Sequence, residues 1–379
     1  MPRTAWILFA GTFVNRFGTF VLPFLVLYMT DRGYSKLEAG LAVAAYGMGG
    51  VGAMTLGGLL ADRMGRRNSI ALSMFSGAAF TLALSQARTL PLILPFAALV
   101  GMSAELYRPA SSALIADVVS EEQRVTAFAL YRFAINLGWA FGPALGGVMA
   151  HRSFFLLFAA DAATSGAFGL IALSSLPHGV RSSRDEERRG EAARALLADR
   201  GFLLFLGAVL AMAILYMQAA STFALHVRDS GLSEETYGLL LSLNGLIIVF
   251  AELPLSSWTM RRRPTRIIAV GSLLLGLGYL WNVVAHSAPV LATGVTLWTL
   301  GEMLESPVAS AFVAGRSPRR LRGRYQGAFG ATFAVAAIIG PIVGTAVYSL
   351  SPDAVWVGCG LLGVLGAWLV TVAGRHPAP

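Results

Sequence analysis

This chain of 379 residues contains few charged residues, one cysteine and one lysine. Charged residues make up 13% of it, and an ordinary soluble domain carries about 25%. With 56% hydrophobic residues and a mean hydropathy of +0.66, this composition excludes an ordinary soluble domain and indicates a chain that lies in a lipid bilayer. Because Cys359 stands alone, intramolecular disulfides and cysteine-based metal sites are also excluded.

The sequence also lacks the residue patterns of enzymes and ATP-driven pumps. It contains no glycine-rich phosphate loop of the Walker type, so ATP hydrolysis is not expected as the energy source. The five histidines lie in loops or at the ends of apolar stretches, and no two have the spacing of metal ligands. No nucleophile with a base is recognisable. We therefore expect no enzymatic activity, cofactor or metal.

Twelve long apolar stretches are present, each near the roughly 20 residues that a helix needs to cross a bilayer. Lipid cannot satisfy the edge of a strand, so these stretches predict an all-α membrane protein of twelve transmembrane helices. The first is too long for a signal-peptide core and is expected to be retained. The stretches cover about 5–29, 37–60, 69–87, 90–117, 124–149, 153–176, 202–227, 235–258, 265–285, 288–314, 325–349 and 353–373.

The only long polar segment, residues 177–201, divides the chain into six stretches and six. We therefore predict an N-terminal six-helix bundle over 1–176, a cytoplasmic linker over 177–201 and a C-terminal six-helix bundle over 202–379. Charges alternate with Ala and Leu over 191–200, which predicts a short surface helix at the end of the linker.

The net charge of +9 reflects membrane topology rather than nucleic-acid binding. Of the 29 Lys and Arg residues, 21 fall in the segments predicted to be cytoplasmic, five lie outside and three lie within the apolar stretches. This asymmetry follows the positive-inside rule and places both termini in the cytoplasm. The bacterial cytoplasmic membrane is the expected location, and a monomer is the expected functional form.

The turn between the second and third apolar stretches carries a dense group of glycines and charges, here called the 58–67 motif. Its first glycine, Gly58, suits close helix packing, and its second, Gly65, suits a tight turn. The carboxylate stands at the cytoplasmic end of a helix and can accept hydrogen bonds from another helix start. The residues of this motif are Gly58, Asp62, Arg63, Gly65, Arg66 and Arg67.

A second group, the 138–147 motif, lies in the fifth stretch. Glycines four residues apart form one flat face for close helix contact, while a proline removes a backbone hydrogen bond and bends the helix. Its residues are Gly138, Gly142, Pro143, Gly146 and Gly147.

The 58–67 motif resembles the loop typical of the major facilitator superfamily of secondary transporters, and the 138–147 motif resembles that of its antiporter branch. The resemblance implies two pseudo-symmetric six-helix bundles with a substrate site between them. It implies that Asp62 meets a helix start near Gly323, that Arg66 pairs with Asp117, and that this network latches the cytoplasmic side. It also implies that the 138–147 motif shapes an outer seal. Drug exporters carry an arginine where this chain has Ala97, which departs from the pattern.

Ionisable and polar groups within apolar stretches are functional candidates, because burying them costs at least a few kcal/mol each. Glu105 and Arg108, three residues apart, are able to pair, and a purely structural ion pair is an equal alternative. Glu302 and Glu305 are close enough that ionising both is costly, so either is a candidate proton carrier. The candidates for the substrate or proton pathway are Asn15, Arg16, Glu105, Tyr107, Arg108, Arg132, Asn136, Tyr216, Gln218, Asn244, Glu252, Glu302 and Glu305.

These features predict a secondary transporter that works by alternating access. The favoured hypothesis is export of small apolar or amphipathic compounds in exchange for protons, driven by the proton gradient. One alternative is proton symport of a specific polar or anionic solute, such as a sugar, an organic acid or a peptide. A remote alternative is a membrane sensor or scaffold that transports nothing.

Overall fold

The computed structural model describes residues 1–178, 196, 198–259, 262–318 and 321–376. Over these residues the chain forms fourteen long or short α-helices and two single 3₁₀ turns, and no β-strand. In chain order the helices are α1 (Arg3–Phe17), α2 (Val21–Asp31), α3 (Lys36–Met64), α4 (Arg66–Gln86), α5 (Leu90–Val118), α6 (Arg124–Arg152), α7 (Phe154–Ser175), α8 (Arg200–Gln218), α9 (Thr222–Asp229), α10 (Glu234–Thr259), α11 (Pro264–Leu280), α12 (Ala288–Arg316), α13 (Arg322–Leu350) and α14 (Pro352–Ala373).

Each of the twelve predicted apolar stretches falls on one of these helices or on a consecutive pair. Among the described residues, ten segments are long and apolar enough to cross a membrane, and the bent helix α3 makes an eleventh. Helix α12 is not among them although it is 29 residues long, since Glu302 and Glu305 lower its mean hydropathy. The predicted all-α membrane architecture is confirmed.

Contacts divide the chain into two compact units. Unit 1 comprises Met1–Arg184 and Val227–Val249, and unit 2 comprises Asp185–His226 and Phe250–Pro379. Most of the predicted linker, including most of the predicted surface helix over 191–200, lies outside the described residues.

Within unit 1, the first part of α10 packs closely on α6 through glycines. A methyl group added at Gly245 would lie 2.5 Å from the Cα atom of Ala140, and one added at Gly147 would lie 2.5 Å from the carbonyl oxygen of Glu234. Real side chains do not approach so closely, so any larger residue at these positions would push the two helices apart. These glycines explain why 227–249 joins unit 1.

The first predicted span of unit 1 is broken into α1 and α2, which the sequence did not predict. The chain leaves the helix at Gly18, and the amide groups of Phe20 and Val21 donate to Oδ2 of Asp161 on α7, at 2.9 and 3.1 Å. These amides are among those that a helix start leaves without a partner. One carboxylate therefore accepts hydrogen bonds from two amide groups at the start of α2, within a predicted membrane span.

The corresponding span of unit 2 is broken in the same way, between α8 and α9. Here Gln218 stabilises the break, since its amide nitrogen donates to the carbonyl oxygens of Ile214 and Gly340, at 2.9 and 3.3 Å. Its oxygen accepts from the hydroxyl of Thr222 at 2.9 Å. A methyl group at Gly344 would clash with the Gln218 side chain. The second Gly-Pro segment of the chain, 340–344, therefore packs directly against Gln218.

Candidate functional site

Arg16 is the charged centre of unit 1. Only 3% of it is exposed, and its Nε donates to the hydroxyl of Tyr107 at 2.9 Å. Its Nη2 lies 3.4 Å from Oε1 of Glu105 and 3.5 Å from the carbonyl oxygen of Ala104. A guanidinium with three oxygen partners is well satisfied inside a membrane protein. The structure therefore directs Arg16 toward α5 and ties it to a carboxylate.

Glu105 also pairs with the second arginine of its own helix. Its Oε2 lies 2.7 Å from Nε of Arg108, while its side chain is 22% exposed and that of Arg108 is 47% exposed. The sequence prediction that these two residues are able to pair is thus met by the geometry. Of the other candidates in unit 1, Arg132 is exposed, Asn136 and Asn244 are half-buried, and all three have polar or electrostatic partners.

Glu305 is the buried acid of unit 2. It is fully buried, and its Oε2 accepts from the hydroxyl of Tyr216 at 2.6 Å. Among the described residues, its Oε1 has no hydrogen-bond partner and no ion pair includes Glu305. Glu302, one helical turn earlier and half-buried, contributes an unfavourable negative charge. A buried carboxylate with one neutral donor and an acidic neighbour is costly to ionise.

Two further candidates of unit 2, Gln218 and Glu252, differ in their burial and surroundings. Gln218 is 2% exposed, and both the nitrogen and the oxygen of its amide make hydrogen bonds at the break between α8 and α9. In this structure its amide therefore links α8, α9 and α13, and its place in the substrate or proton pathway stays a prediction. Glu252 is half-buried in α10 and has a partner.

The 58–67 motif forms a compact ion cluster at the end of α3. Nη1 of Arg66 lies 2.9 Å from Oδ1 of Asp62, and its Nε lies 3.5 Å from Oδ2 of Asp117 at the end of α5. The second contact is an ion pair without the geometry of a hydrogen bond. Arg66 is 6% exposed, so the motif holds a nearly buried cation between two acids.

The two glycines of this motif differ. Gly65 has a φ of +86°, the left-handed region that favours glycine, and lies against the carbonyl oxygen of His178. A methyl group at Gly58 would meet no atom within 4 Å, which corrects the expectation that Gly58 allows close helix packing. The close approach belongs to Gly57, where a methyl group would lie 2.8 Å from the carbonyl oxygen of Leu106. Arg63 is exposed, and Arg67 Nε donates to Asn68 Oδ1 at 3.4 Å.

The 138–147 motif packs against the break between α1 and α2. A methyl group at Gly138 would lie 2.7 Å from the amide nitrogen of Phe17, and one at Gly142 would lie 2.6 Å from its carbonyl oxygen. Gly146 faces the rings of Phe20 and Phe24. Pro143 lies inside α6, where its carbonyl oxygen faces Gly238 of α10. The motif thus supports the broken span on one side and α10 on the other, all within unit 1.

Sequence reasoning missed a buried ion pair in unit 2. Asp199 caps α8 by accepting from the amide of Phe202 at 2.9 Å, and it pairs with Arg316 at the end of α12, with contacts of 2.6 and 3.0 Å. Burial opposes ionisation of the Asp199 carboxyl, but the hydrogen bonds from Arg316 and Phe202 outweigh it, so the pKa of Asp199 lies below its ordinary value. An acid just before an apolar helical stretch is a capping signal, which identifies Asp199 but not its partner.

The sequence of this chain is similar to those of known proteins. A family model for the Major Facilitator Superfamily matches residues 8–304 and 204–379 of the chain. The chain belongs to the Major Facilitator Superfamily. It is therefore a multi-pass membrane transporter of a small-molecule substrate and not an enzyme.

Relatives in bacteria align over most of the chain. An uncharacterised transporter of this superfamily, YqjV of Bacillus subtilis, is 29% identical over 349 residues, which are 90% of this chain and 85% of the relative. A Na⁺, Li⁺, K⁺/H⁺ antiporter of Planococcus maritimus is 26% identical and covers 87% of this chain and 86% of its own length. The quinolone resistance protein NorA of Staphylococcus aureus is 31% identical over 175 residues, 45% of this chain and 44% of NorA.

Solved structures agree in fold. A crystal structure of a POT family transporter in complex with a thioalcohol-conjugated peptide superposes with a TM-score of 0.81 at 16% identity, covering 99% of this chain and 96% of the other. The nucleoside transporter NupG superposes with a TM-score of 0.80 at 16% identity, covering 97% and 99%. At this identity the likeness describes the fold alone.

Proposed function

We propose that this protein exports small apolar or amphipathic compounds in exchange for protons, with Glu305 as the proton carrier. It acts as a monomer in the bacterial cytoplasmic membrane, with both termini in the cytoplasm. The observation that carries the proposal is the environment of Glu305, a fully buried acid whose Oε1 has no hydrogen-bond partner among the residues that the structure describes.

The charge balance of the buried groups supports this assignment. Arginine stays protonated at any physiological pH, so Glu105 has a positive charge as a direct partner. Among the described residues, Glu305 has one hydrogen-bond donor, the neutral hydroxyl of Tyr216. A proton would remove the cost of a buried negative charge there, and loss of the proton becomes favourable once water reaches the site. A group of this kind binds and releases protons as the site changes its exposure.

The same balance bears on the substrate. Arg16 is occupied by Tyr107, Ala104 and Glu105, so it is not available to an anionic solute in this conformation. This favours an apolar or amphipathic compound over an anion. Two relatives, a cation/proton antiporter and a quinolone resistance protein, bear names that agree with exchange and with drug export.

The cytoplasmic latch belongs to the same proposal. In alternating access, contacts at one side must form and break as the other side opens. The ion cluster of Asp62, Arg66 and Asp117 is a set of this kind, and the 138–147 motif is the proposed outer seal. The predicted contact of Asp62 with the start of α13 remains part of the proposal.

The experiment is efflux of a lipophilic dye from proteoliposomes under an imposed pH gradient. The wild-type protein should show gradient-driven flux, and Glu305→Gln should reduce that flux at least tenfold while exchange of bound dye without a gradient continues. The matched control is Glu121→Gln, which makes the same change at an acid whose side chain is 84% exposed. Flux that ignores the gradient in the wild-type protein, or survives Glu305→Gln, would reject the proposal. Stimulation by organic anions in place of the dye would favour symport.

A further inference from the structure

A cavity of about 440 Å³ lies at one end of unit 1, and typical ligand sites measure roughly 300–1,000 Å³. Helix α4 begins in the 58–67 motif and reaches this cavity with Ser85 near its other end. The cavity is therefore on the outer side in the proposed topology, and we call it the outer cavity. Its lining comes from the end of α2, the end of α4, the turn between α6 and α7 and the start of α10.

Aromatic rings and a fixed guanidinium form one wall of the outer cavity. Tyr28 is buried, and its ring meets that of Phe158 edge to face, with 4.7 Å between the ring centroids. The guanidinium of Arg32 lies over the same tyrosine ring, 4.6 Å from its centroid. Nη1 and Nη2 of Arg32 donate to the carbonyl oxygens of Ala87 and Ser85, at 2.9 and 3.1 Å. These contacts fix the wall, and a guanidinium has more N–H groups than these two bonds use.

The charges that line the outer cavity are balanced. The lining includes two arginines and two acids, which are Arg32, Arg152, Asp31 and Glu234. Glu234 lies 3.4 Å from Nδ1 of His151, which also lines the cavity. Arg152 and Asp31 are exposed, and the side chain of neither makes a hydrogen bond or an ion pair with any residue that the structure describes. The cavity therefore offers one cation and one anion to a ligand.

The outer cavity adjoins an apolar surface on a membrane span. Phe155 lines the cavity and is 56% exposed, and the next residue of α7, Leu156, is 44% exposed. Leu82, about one turn before Ser85 on α4, is 42% exposed. Large apolar side chains exposed on a membrane-spanning helix contact the acyl chains of lipids. A ligand whose polar part lies in the cavity can therefore carry apolar chains along the start of α7.

The charges of the cavity select a zwitterionic polar group. A phosphate is a good partner for a guanidinium, but a ligand with a phosphate alone would place its negative charge in a cavity that also holds Asp31. A ligand with an ammonium group as well gives this carboxylate a partner. A quaternary ammonium is usually recognised by open aromatic faces, and Arg32 covers that of Tyr28. A primary ammonium instead donates hydrogen bonds to a carboxylate.

We propose that the outer cavity binds the headgroup of phosphatidylethanolamine, a phospholipid with a phosphate and a primary ammonium group. Arg32 and Arg152 contact the phosphate, and Asp31 accepts from the ammonium group. The acyl chains lie along α7 beside Phe155. The inference goes beyond the proposed function, because this lipid would bind unit 1 whether or not Glu305 of unit 2 carries the proton.

The test measures the melting temperature of the purified full chain in detergent micelles. Phosphatidylethanolamine, phosphatidylcholine or phosphatidylglycerol is added, each with the same acyl chains and at the same concentration. A ligand of the folded state stabilises it according to its concentration and affinity. Phosphatidylethanolamine should raise the melting temperature by about 3 °C more than either of the other two lipids. Glycerophosphoethanolamine, the same headgroup without acyl chains, should have no effect at this concentration.

Variants of the two exposed charges should fold normally and change the response to lipid. Arg152→Gln removes a partner of the phosphate and should abolish the extra shift. Asp31→Asn removes the partner of the ammonium group and leaves both arginines, so phosphatidylglycerol should now give the larger shift. A purely structural role of Asp31 would not reverse the preference between lipids. The matched control is Arg88→Gln, at an exposed arginine just after α4 that is not part of the cavity lining, and it should keep the full shift.

Three results would overturn the inference. Equal shifts with all three lipids would mean that lipid contacts the helices without recognition of its headgroup. A preference for phosphatidylethanolamine that persists unchanged in Arg152→Gln and Asp31→Asn would place the lipid elsewhere. If glycerophosphoethanolamine reproduces the shift, the outer cavity takes a soluble zwitterion and not a lipid.

Discussion

The two units place acids at matching positions and neutralise them differently. Arg16 and Tyr216 are 200 positions apart, and so are Glu105 and Glu305. In unit 1 the pair is a guanidinium and a carboxylate, whereas in unit 2 it is a phenol hydroxyl and a carboxyl group. Arg16 balances the charge of the first acid, whereas no described residue forms an ion pair with the second. We therefore infer that the arginine in the first span of unit 1 makes Glu105 a structural charge, and that the tyrosine at the matching position of unit 2 leaves Glu305 suited to proton exchange.

The ion pairs at the helix ends of the two units differ in a related way. Unit 1 holds Arg66 between Asp62 and Asp117, whose side chains are 28% and 26% exposed. Unit 2 holds Arg316 against Asp199, with side chains only 5% and 4% exposed. A partly exposed ion cluster is weak and can exchange partners, whereas a buried pair is costly to separate. We infer that the cluster of unit 1 rearranges during transport and that the pair of unit 2 does not.

The largest expected effect is loss of the buried pair of unit 2. Asp199→Asn leaves Arg316 without its carboxylate and should lower the free energy of unfolding by about 3–5 kcal/mol. Urea unfolding in detergent measures this value. Asp353→Asn, the same change at an exposed acid at the start of α14, is the control and should have little effect.

Asp199 also predicts a dependence on pH. Its pKa is lower in the folded protein than in the unfolded chain, so its contribution to stability is complete above the unfolded value of about 3.9. That contribution is lost as the pH falls through the lower folded pKa. The melting temperature of the wild-type protein should therefore fall more steeply below pH 4 than that of Asp199→Asn. Parallel curves for the two proteins would contradict the assignment.

The next effect tests the comparison of the buried acids directly. Arg16→Met should cost about 3 kcal/mol, because it leaves Glu105 partly buried without its interhelical partner. The double variant Arg16→Met/Glu105→Gln should recover part of that loss, as a double-mutant cycle in denaturant will measure. Glu305→Gln should leave stability almost unchanged, since an amide resembles the protonated acid. A large loss in Glu305→Gln would mean that both acids are structural charges.

Hydropathy predicted the helical spans because the bilayer imposes a length and an apolar surface on each of them. The contact of Arg66 with Asp117 came from a family resemblance, and the structure contains it. The breaks after Phe17 and Gln218 could not be predicted, because no proline or polar run marks them. The first depends on Asp161, which is more than 140 positions away. The partner of Asp199 and the orientation of Gln218 also depend on how distant helices pack, and the sequence does not contain that information in any local pattern.

The smallest expected effect concerns the proposed latch of unit 1. Asp62→Asn removes the ion pair of 2.9 Å with Arg66 but leaves Asp117 as a second partner, so stability should change by less than about 1 kcal/mol. Transport should nevertheless fall about tenfold, because the latch must form again in every cycle. Dye efflux and dye binding on the same preparation separate the two effects, since binding should remain. If turnover stays normal, or if binding falls together with transport, the cluster is a structural element like the pair in unit 2, and the proposed difference between the two cytoplasmic ends is wrong.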